Sequence, residues 1–339
     1  MYANGTSAPI LVVSESLHAL PDAVAELAHS GHPVHYVEGL KPWRELVGKD
    51  RSALEDAAAV VMGRVLDTDA DALGIARRLR VIALHTSGCD NVDLETATRR
   101  GVLVTNVRGV NAEVCAEFAM ALLLCVVRKV LCGDRALRAG FWAERTQTSL
   151  DVYGATMGVV GLGQIAQAFV RRAQAFGMRV IVHTRSPDAA LGQQLGIEYV
   201  SLEELLGRSD IVGLFASLNP QSRHMIGARE LAAIKPGAYL INIARGELID
   251  ETALLEALRH GRVAGAGLDV FEQEPLYRSA LFELENVVIT PHQAGLTQGA
   301  KTAAALRAVR NALQALQGVV PRDAINPAAW PTTSEMPRT

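Results

Sequence analysis

Three segments of the sequence place ionisable side chains just after predicted strands. Arg245 follows a strand in "YLINIARGELID", and His292 follows one in "NVVITPHQAG". Asp269 ends a third strand in "GAGLDVFEQEPL", and Glu274 comes five residues later. Ligands of open parallel sheets bind beyond the carboxyl ends of the strands, so we expect these side chains at one edge. Imidazole suits proton transfer near neutral pH and guanidinium suits carboxylate binding, although each residue taken alone is an ordinary loop residue.

A glycine motif precedes these segments along the chain. In "VVGLGQIA", Gly161, Gly163 and Ala166 fit the pattern G-x-G-x-x-G/A between a predicted strand and a predicted helix. Gly161 permits the tight turn, Gly163 lets the backbone approach a pyrophosphate, and the helix start offers N–H donors to phosphates. The motif in this context predicts a dinucleotide site, and a tight turn without a ligand is the alternative.

The stretch "VIVHTRS" bears on which dinucleotide is bound. It ends the second strand of this predicted domain, 23 residues beyond Gly161, where an acidic residue would hold the ribose of NAD. Thr184, Arg185 and Ser186 stand there instead. A guanidinium pairs with a 2′-phosphate and a hydroxyl adds a donor, so the stretch favours NADP(H). NAD(H), with an arginine that is merely exposed, is the alternative.

The elements that must position these residues form two series. Strands alternate with helices over residues 10–105 and again over 157–290, which predicts parallel sheets. Between the series, residues 111–140 predict one long helix with Asn111 as its N-cap. Because this helix is apolar nearly all round, we expect it to be buried between domains or in a dimer interface. We expect a last helix over about 298–318 and a partly disordered tail after it.

Composition narrows the classes of protein. A chain of 339 residues predicts two domains or one large α/β unit, and the net charge of −3 gives no reason to expect a nucleic acid or a membrane as partner. The longest apolar run, Phe118–Val127, is too short to span a membrane, and the first residues lack the features of a signal peptide. The four cysteines form neither a C-x-x-C pair nor a metal-ligand pattern, so we expect no metal and a reducing, cytoplasmic location.

In these motifs, the chain resembles the D-isomer-specific 2-hydroxyacid dehydrogenases. The resemblance covers most of Ser87–Gly295 and is carried by "SGCDNVDLETATRRGVLVTNVRGVNAEVCAEFAMALLL", "GVVGLGQIAQAF", the stretch from "NPQSRHMIG" to "DVFEQEPL", and "VVITPHQAG". It implies an α/β fold with two Rossmann- or flavodoxin-like doubly wound domains and a cleft between them. The substrate-binding domain would be discontinuous, over 1–107 plus 297–339, and the dinucleotide-binding domain would be 108–296.

The resemblance also implies roles for residues. Hydride would pass between a nicotinamide and C2 of a small 2-keto or 2-hydroxy acid, such as glyoxylate or hydroxypyruvate. His292 would be the general acid/base, Glu274 would orient it, and Arg245 would bind the substrate carboxylate with the backbone N–H groups of the loop at Ser87 and Gly88. The cofactor would contact residues beyond the glycines of the motif, namely Gln164, Ile165, Ala216, Ser217, Ser222, Ile243, Ala244, Asp269 and Gly295.

Departures from the family pattern bear on specificity. Thr86-Ser87-Gly88 replaces the frequent Gly-x-Gly of the substrate loop, and Phe215 and Ser217 replace the frequent His and Pro of the segment "LFASLNP". No regulatory domain is predicted after residue 297, so we do not expect a long, allosterically regulated phosphoglycerate dehydrogenase. A homodimer is expected from the apolar helix and the resemblance. Two alternatives stay open: a nucleotide-sensing protein without enzymatic activity on this fold, and a dehydrogenase of phosphite or formate.

Overall fold

The computed structural model describes residues 7–14, 17–39, 42–63, 68–142 and 149–330. The chain divides into two compact units. Unit 1 comprises Met1–Asn111 and Thr297–Thr339, and unit 2 comprises Ala112–Leu296. Each unit has its own parallel sheet, which confirms the predicted α/β class with two Rossmann-like sheets. The predicted cleft between two domains stays a prediction.

The elements of unit 1 alternate along the chain before a final helix. Its strands are β1 (Ile10–Val13), β2 (Val34–Tyr36), β3 (Ala59–Met62), β4 (Val81–Leu84) and β5 (Leu103–Thr105). Its helices are α1 (Pro21–His29), α2 (Gly48–Asp56), α3 (Ala70–Ile75), α4 (Leu94–Arg99) and, near the end of the chain, α12 (Gln298–Leu316). The sheet has the order β2-β1-β3-β4-β5. Four of these strands are β-branched or aliphatic runs buried throughout, as expected of parallel strands covered on both faces.

The last helix and the segment after it complete unit 1. α12 begins at the N-cap Thr297, whose hydroxyl accepts from the Ala300 N–H, and its buried alanines pack it on α1, β3 and β4. Asn326 lies beyond it and is buried at the edge strand β5. Its Oδ1 accepts from the Val104 N–H at 2.7 Å, and its Nδ2 donates to the Val102 carbonyl at 3.0 Å. The tail, predicted to be partly disordered, therefore packs on the sheet as far as Trp330, and its residues 331–339 fall outside the described residues.

Unit 2 is a doubly wound sheet with more strands than unit 1. Its strands are β6 (Thr156–Val160), β7 (Arg179–His183), β8 (Glu198–Tyr199), β9 (Ile211–Leu214), β10 (Ala238–Asn242), β11 (Val263–Leu268) and β12 (Val287–Ile289). Its helices are α5 (Ala112–Val127), α6 (Val130–Arg138), α7 (Gln164–Ala175), α8 (Ala189–Leu195), α9 (Leu202–Arg208), α10 (Ala228–Ala233) and α11 (Glu251–Arg259). The order β12-β11-β10-β9-β6-β7-β8 reverses direction between β6 and β9, where such folds bind ligands.

The prediction of one long helix over 111–140 is wrong. The chain forms α5 and α6, which are separated at Lys129, a residue in the left-handed region at φ 53°. The N–H of Lys129 bonds back to the Val126 carbonyl in a tightened last turn, and the Lys129 carbonyl then accepts the first bond of α6. α5 is buried within unit 2 against α7 and the strands β10, β11 and β12, whereas α6 has no buried residue. Among the described residues, no helix combines the length and apolar character needed to cross a membrane.

Candidate active site

A buried asparagine shapes the turn that carries Arg245. Asn242 is the last residue of β10 and is fully buried. Its Oδ1 accepts from the Ala244 N–H at 3.0 Å, and its Nδ2 donates to the Arg245 carbonyl at 2.8 Å. The Arg245 guanidinium in turn donates to the Ala244 carbonyl at 2.6 Å. The direction in which Arg245 leaves the sheet is thus set by a side chain inside it.

Gly246 allows two loops to touch beside this arginine. A Cβ at this position would lie 1.8 Å from the carbonyl carbon of Phe271 and 2.3 Å from the nitrogen of Glu272. No side chain fits there, because these neighbours are backbone atoms. The missing Cβ lets the loop after β11 pack directly on the loop after β10.

His292 and Glu274 form a hydrogen-bonded pair at the ends of neighbouring strands. The His292 Nδ1 lies 2.7 Å from Glu274 Oε2, and the other carboxylate oxygen, Oε1, accepts from the Phe271 N–H at 3.1 Å. The imidazole is 36 % exposed and the carboxyl 25 %, so the pair is accessible without being fully solvated. A carboxylate that accepts from Nδ1–H fixes the tautomer and the orientation of the ring.

Asp269 holds the loop that carries His292. Its side chain is fully buried, and three donors bond to its two oxygens. Thr290 Oγ1 donates to Oδ1 at 2.6 Å, the Gln293 N–H donates to Oδ1 at 2.9 Å, and the Ala294 N–H donates to Oδ2 at 2.8 Å. These bonds are charge-assisted and lie in a low-dielectric interior, so they fix the loop firmly. The contact of Asp269 with a nicotinamide stays a prediction.

The backbone of His292 is in a costly conformation. Its φ is 48°, in the left-handed region that residues with a side chain rarely adopt, and its N–H bonds to the Thr290 carbonyl two residues earlier. Strain of this kind persists only where the surroundings over-determine it, and here the bonds of Asp269 do so.

The buried charge of Asp269 is felt by a neighbouring thiol on α5. Burial, and then the negative charge of Asp269, raise the pKa of Cys115 to about 11. Cys115 therefore remains protonated and acts as a small apolar group behind the site.

The glycine turn lies at the switch point of the unit 2 sheet. Gly161 has φ +89°, and a Cβ there would lie 2.7 Å from the backbone of Ala216. Its N–H donates to the His183 carbonyl at 2.7 Å, so the turn is bonded to the end of β7. Only glycine meets both the conformational and the spatial demand at this position.

The start of α7 fits the phosphates of a dinucleotide. Gly163 is the N-cap and supplies no side chain, and a Cβ there would meet nothing within 4 Å. The N–H groups of Gln164 and Ile165 have no acceptor among the described residues. Open space before uncapped N–H groups of a long helix is the arrangement that binds a pyrophosphate.

The loop after β7 presents a cation and no available carboxylate. Thr184 is half-buried, while Arg185 and Ser186 are exposed. The next carboxylate along the chain, Asp188, accepts from the Leu191 N–H at 3.1 Å as the N-cap of α8. Within the part of the chain that the structure describes, the Arg185 side chain makes no hydrogen bond or ion pair.

The remaining predicted cofactor residues follow β9, β10 and β12. Ala216 is in contact range of the glycine turn, and Ile243 and Ala244 belong to the turn held by Asn242. Ser222 is buried; its hydroxyl donates to the Ser217 carbonyl at 2.8 Å and accepts from the Asn219 N–H at 2.8 Å. Its hydroxyl therefore shapes its own loop. Gly295 follows the two residues that bond to Asp269.

In unit 1, Ser87 and Gly88 lie in the loop after β4. Asn106 Nδ2 donates to the Ser87 carbonyl at 2.6 Å, and Ser87 Oγ donates to Asn111 Oδ1 at 2.9 Å. The N–H groups of Ser87 and Gly88 find no acceptor within the described residues. The loop is thus fixed by its carbonyl and hydroxyl groups, and the contact of its amide donors with a substrate stays a prediction.

Several residues of these loops were missed in the sequence. Asn242 and Gly246 gave no signal, because neither belongs to a motif that has meaning without its partner loop. His85 follows β4 and contacts Ser14 Oγ through Nε2 at 3.0 Å, and burial lowers its pKa, so the ring is neutral near neutral pH. A histidine directly after a strand could have been singled out, as His292 was.

Comparisons with known proteins agree with this geometry. A family profile described as "D-isomer specific 2-hydroxyacid dehydrogenase, NAD binding domain" matches residues 120–294. The glyoxylate reductase of Thermococcus onnurineus is 42 % identical over 265 residues, covering 76 % of this chain and 79 % of that protein. A glyoxylate reductase structure from Paecilomyes thermophila superposes with a TM-score of 0.86 at 29 % identity, covering 94 % of this chain and 98 % of that one.

A further solved structure adds a bound cofactor. The NADPH-dependent glyoxylate/hydroxypyruvate reductase of Sinorhizobium meliloti, in complex with NADP and malonate, has a TM-score of 0.84 at 28 % identity. The superposition covers 96 % of this chain and 99 % of that one. These matches and the fold show that the chain belongs to the D-isomer specific 2-hydroxyacid dehydrogenase family and is an oxidoreductase that uses a nicotinamide cofactor.

Proposed function

We propose that the protein reduces small 2-keto acids, with glyoxylate and hydroxypyruvate as its first substrates, using NADPH. The observation that carries the proposal is the pair of His292 and Glu274 at 2.7 Å, at strand ends next to the one that carries Arg245. The reduced nicotinamide supplies hydride to C2 of the keto acid when it is bound. The proteins similar to this chain that are named for such substrates support the choice.

The chain's own part begins with binding of the carboxylate. The planar guanidinium of Arg245 offers two parallel donors to a carboxylate, and it can also polarise the adjacent keto oxygen. In unit 1, the amide N–H groups of Ser87 and Gly88 offer further donors. Donors that are fixed before binding cost little reorganisation, which is what the bonds of Asn242 and Asn106 achieve.

His292 supplies the proton. In reduction, the C2 carbonyl gains hydride at carbon and a proton at oxygen, which His292 donates from Nε2. Glu274 on Nδ1 keeps the ring in the orientation that points Nε2 toward the substrate. In the oxidation direction the same nitrogen accepts the hydroxyl proton. Glu274 and Asp269 together keep the ring from turning away.

An assay of the purified protein tests the proposal. Oxidation of NADPH and of NADH would be followed with glyoxylate, hydroxypyruvate and pyruvate, and reduction of NADP⁺ and NAD⁺ with phosphite and formate. We expect turnover on the keto acids and none on phosphite or formate. Turnover confined to either inorganic or one-carbon donor would refute the proposed substrate class.

The cofactor preference rests on Arg185. We propose NADPH over NADH, because an exposed guanidinium without an ion-pair partner among the described residues follows the strand where a carboxylate would repel a 2′-phosphate. Thr184 and Ser186 would add hydroxyl donors. The related reductase solved with NADP supports this choice.

We also propose a cytoplasmic homodimer. The free thiols of the four cysteines suit a reducing compartment. No residue of α6 is buried, and some of the exposed side chains are large and apolar. Leu137 on the helix is 55 % exposed, and Phe141 just beyond it is 57 % exposed. Apolar side chains concentrated on one exposed helix are typical of an interface between copies of a chain. We expect light scattering to give a dimer for the wild type and a monomer for Leu137→Asp.

A further inference from the structure

The loop that carries Glu274 is bonded to the start of α11 by two reciprocal hydrogen bonds. The Glu272 N–H donates to Glu251 Oε1 at 2.6 Å, and the Glu251 N–H donates to Glu272 Oε1 at 3.3 Å. Glu251 is the first residue of α11, so the Glu272 carboxylate serves a helix start that lies 21 residues earlier along the chain. Each carboxylate accepts from the backbone N–H of the other glutamate, so the two bonds fix the loop of Glu272 to the start of α11.

A histidine joins this pair from a third loop. His224 Nε2 lies 2.8 Å from Glu272 Oε1, and the His224 N–H donates to the Glu247 carbonyl at 2.7 Å. His224 has φ 51°, the same left-handed conformation as His292. Its ring is thus held toward Glu272 by a strained backbone that the loop at Glu247 supports.

The bonded segment is continuous with the groups that hold Glu274. Glu272 is two residues before Glu274, and Phe271 between β11 and Glu272 donates its N–H to Glu274 Oε1 at 3.1 Å. The same Phe271–Glu272 peptide lies against Gly246, which leaves no room for movement in that direction. The Glu272 peptide thus directly follows the residue whose N–H orients the Glu274 carboxylate.

We propose that Glu251, Glu272 and His224 form a carboxylate clasp whose role is to position Glu274 against His292. The inference rests on the proposed function, in which Glu274 orients the general acid. The three residues of the clasp are positioning residues, since they act through Glu274 and need no contact with substrate or cofactor. Glu251 and Glu272 fix the loop, and His224 holds the Glu272 carboxylate in place.

Several charged groups face the clasp and set its electrostatics. Glu247 and Glu274 lie close enough for their charges to act on Glu251, and Arg223 Nη2 lies 3.8 Å from Glu247 Oε1. Burial is the largest cause that raises the pKa of Glu251, and the charges of Glu272, Glu274 and Glu247 add to it against the bond from the Glu272 N–H. The negative charge of Glu274, the carboxylate that the clasp positions, therefore acts on Glu251 of the clasp.

Opening the clasp should alter chemistry more than binding. In Glu272→Ala, we expect kcat for glyoxylate reduction to fall roughly ten- to a hundredfold, because small misplacements of catalytic groups have effects of that size. The KM for glyoxylate should change by less than about threefold, because Arg245 is held by Asn242 instead. The pH profile of kcat should also differ from that of the wild type, because a displaced Glu274 no longer contacts the imidazole as it does in the wild type.

Conservative variants separate positioning from loss of charge. Glu272→Gln keeps an oxygen that accepts from the Glu251 N–H, and Glu251→Gln keeps one for the Glu272 N–H. We expect both to recover most of the kcat lost in Glu272→Ala. The matched control is Glu204→Ala, since Glu204 also accepts at a helix start, from the Ser201 N–H at 3.0 Å, in the loop before α9. We expect wild-type kcat and pH profile for this control.

The experiment measures kcat, KM and pH profile for all five proteins and, independently of activity, the pH titration of the His292 imidazole by NMR, assigned with His292→Asn. A wild-type NMR titration and pH profile in Glu272→Ala would overturn the clasp, as would equal losses in Glu204→Ala. If Glu272→Ala does not fold, unchanged behaviour of Glu272→Asp, whose shorter side chain cannot span the same gap, would overturn it. Failure of the proposed function would show instead as a wild-type protein that reduces no keto acid, and the NMR titration would then decide on the clasp.

Discussion

The two halves of the unit 2 sheet hold their loops by opposite means. After β10 and β12, the buried side chains of Asn242 and Asp269 bond to the loops that carry Arg245 and His292, and after β11 the Glu274 carboxylate accepts from the backbone of its own loop. After β6 and β7, the turn is held by backbone bonds, as from the Gly161 N–H to the His183 carbonyl, and by the absence of side chains at Gly161 and Gly163. The first half positions side chains, and the second exposes backbone donors and space.

The difference follows from what each half must bind. A proton transfer requires one nitrogen within hydrogen-bond reach of one oxygen, so the side chain needs partners that fix its rotamer. A pyrophosphate is large and multiply charged, and a helix start recognises it with any sequence that leaves the N–H groups accessible. Substitutions should therefore act on kcat in one half and on cofactor KM in the other.

The largest effect should come from His292. In His292→Asn the ring that we propose as the proton donor is lost, and we expect kcat to fall by roughly two to four orders of magnitude with cofactor affinity retained. Steady-state kinetics and fluorescence titration of NADPH measure the two quantities. Unchanged turnover would remove His292 from the reaction.

A substitution of Asp269 tests whether the buried carboxylate that bonds to the His292 loop is needed for turnover. Asp269→Asn puts an amide against the Gln293 and Ala294 N–H groups, which costs about 1–3 kcal/mol of stability, and we expect kcat to fall roughly tenfold or more. The matched control is Asp210→Asn, because Asp210 bonds to Lys235 and to the Thr156 N–H at the amino ends of the strands of the same sheet, away from the His292 loop. Thermal unfolding should show losses in both variants, but kcat should fall only for Asp269.

Gly161 tests the other half. Gly161→Ala places a methyl group 2.7 Å from the backbone of Ala216 at a φ that disfavours alanine. We expect the KM for NADPH to rise roughly tenfold while the KM for glyoxylate stays near its wild-type value. Gly207→Ala is the control, because a Cβ at Gly207 meets nothing within 4 Å. A selective loss in kcat would contradict the contrast between the halves.

The smallest effect should come from Arg185. Arg185→Ala removes the exposed guanidinium that we propose to pair with the 2′-phosphate, so kcat/KM for NADPH should fall by roughly three- to fivefold and that for NADH should hardly change. Arg179→Ala serves as control, since Arg179 is exposed at the opposite end of the same strand. A wild-type preference for NADH would show that the choice of cofactor is made elsewhere.

The sequence predicted what is written in local patterns. Apolar runs marked the strands, the glycine spacing marked the switch point, and polar residues after strands marked the strand ends where His292 meets Glu274. It did not predict the break at Lys129, because the residues around it favour a helix and lysine gives no local signal of a left-handed backbone. Nor did it pair Glu251 with Glu272, since two exposed-looking glutamates 21 residues apart gain meaning only when their loops meet.

The position of Asn326 and α12 has a consequence for the order of events during synthesis. Unit 1 begins at the start of the chain, but its sheet is covered by α12 and its edge strand is closed by Asn326, both of which follow unit 2. During synthesis, the strands of unit 1 therefore keep one face and one edge of their sheet exposed until all of unit 2 has been made. The sheet of unit 2, the dinucleotide-binding unit, can thus form completely before the sheet of unit 1 is covered by α12 and Asn326.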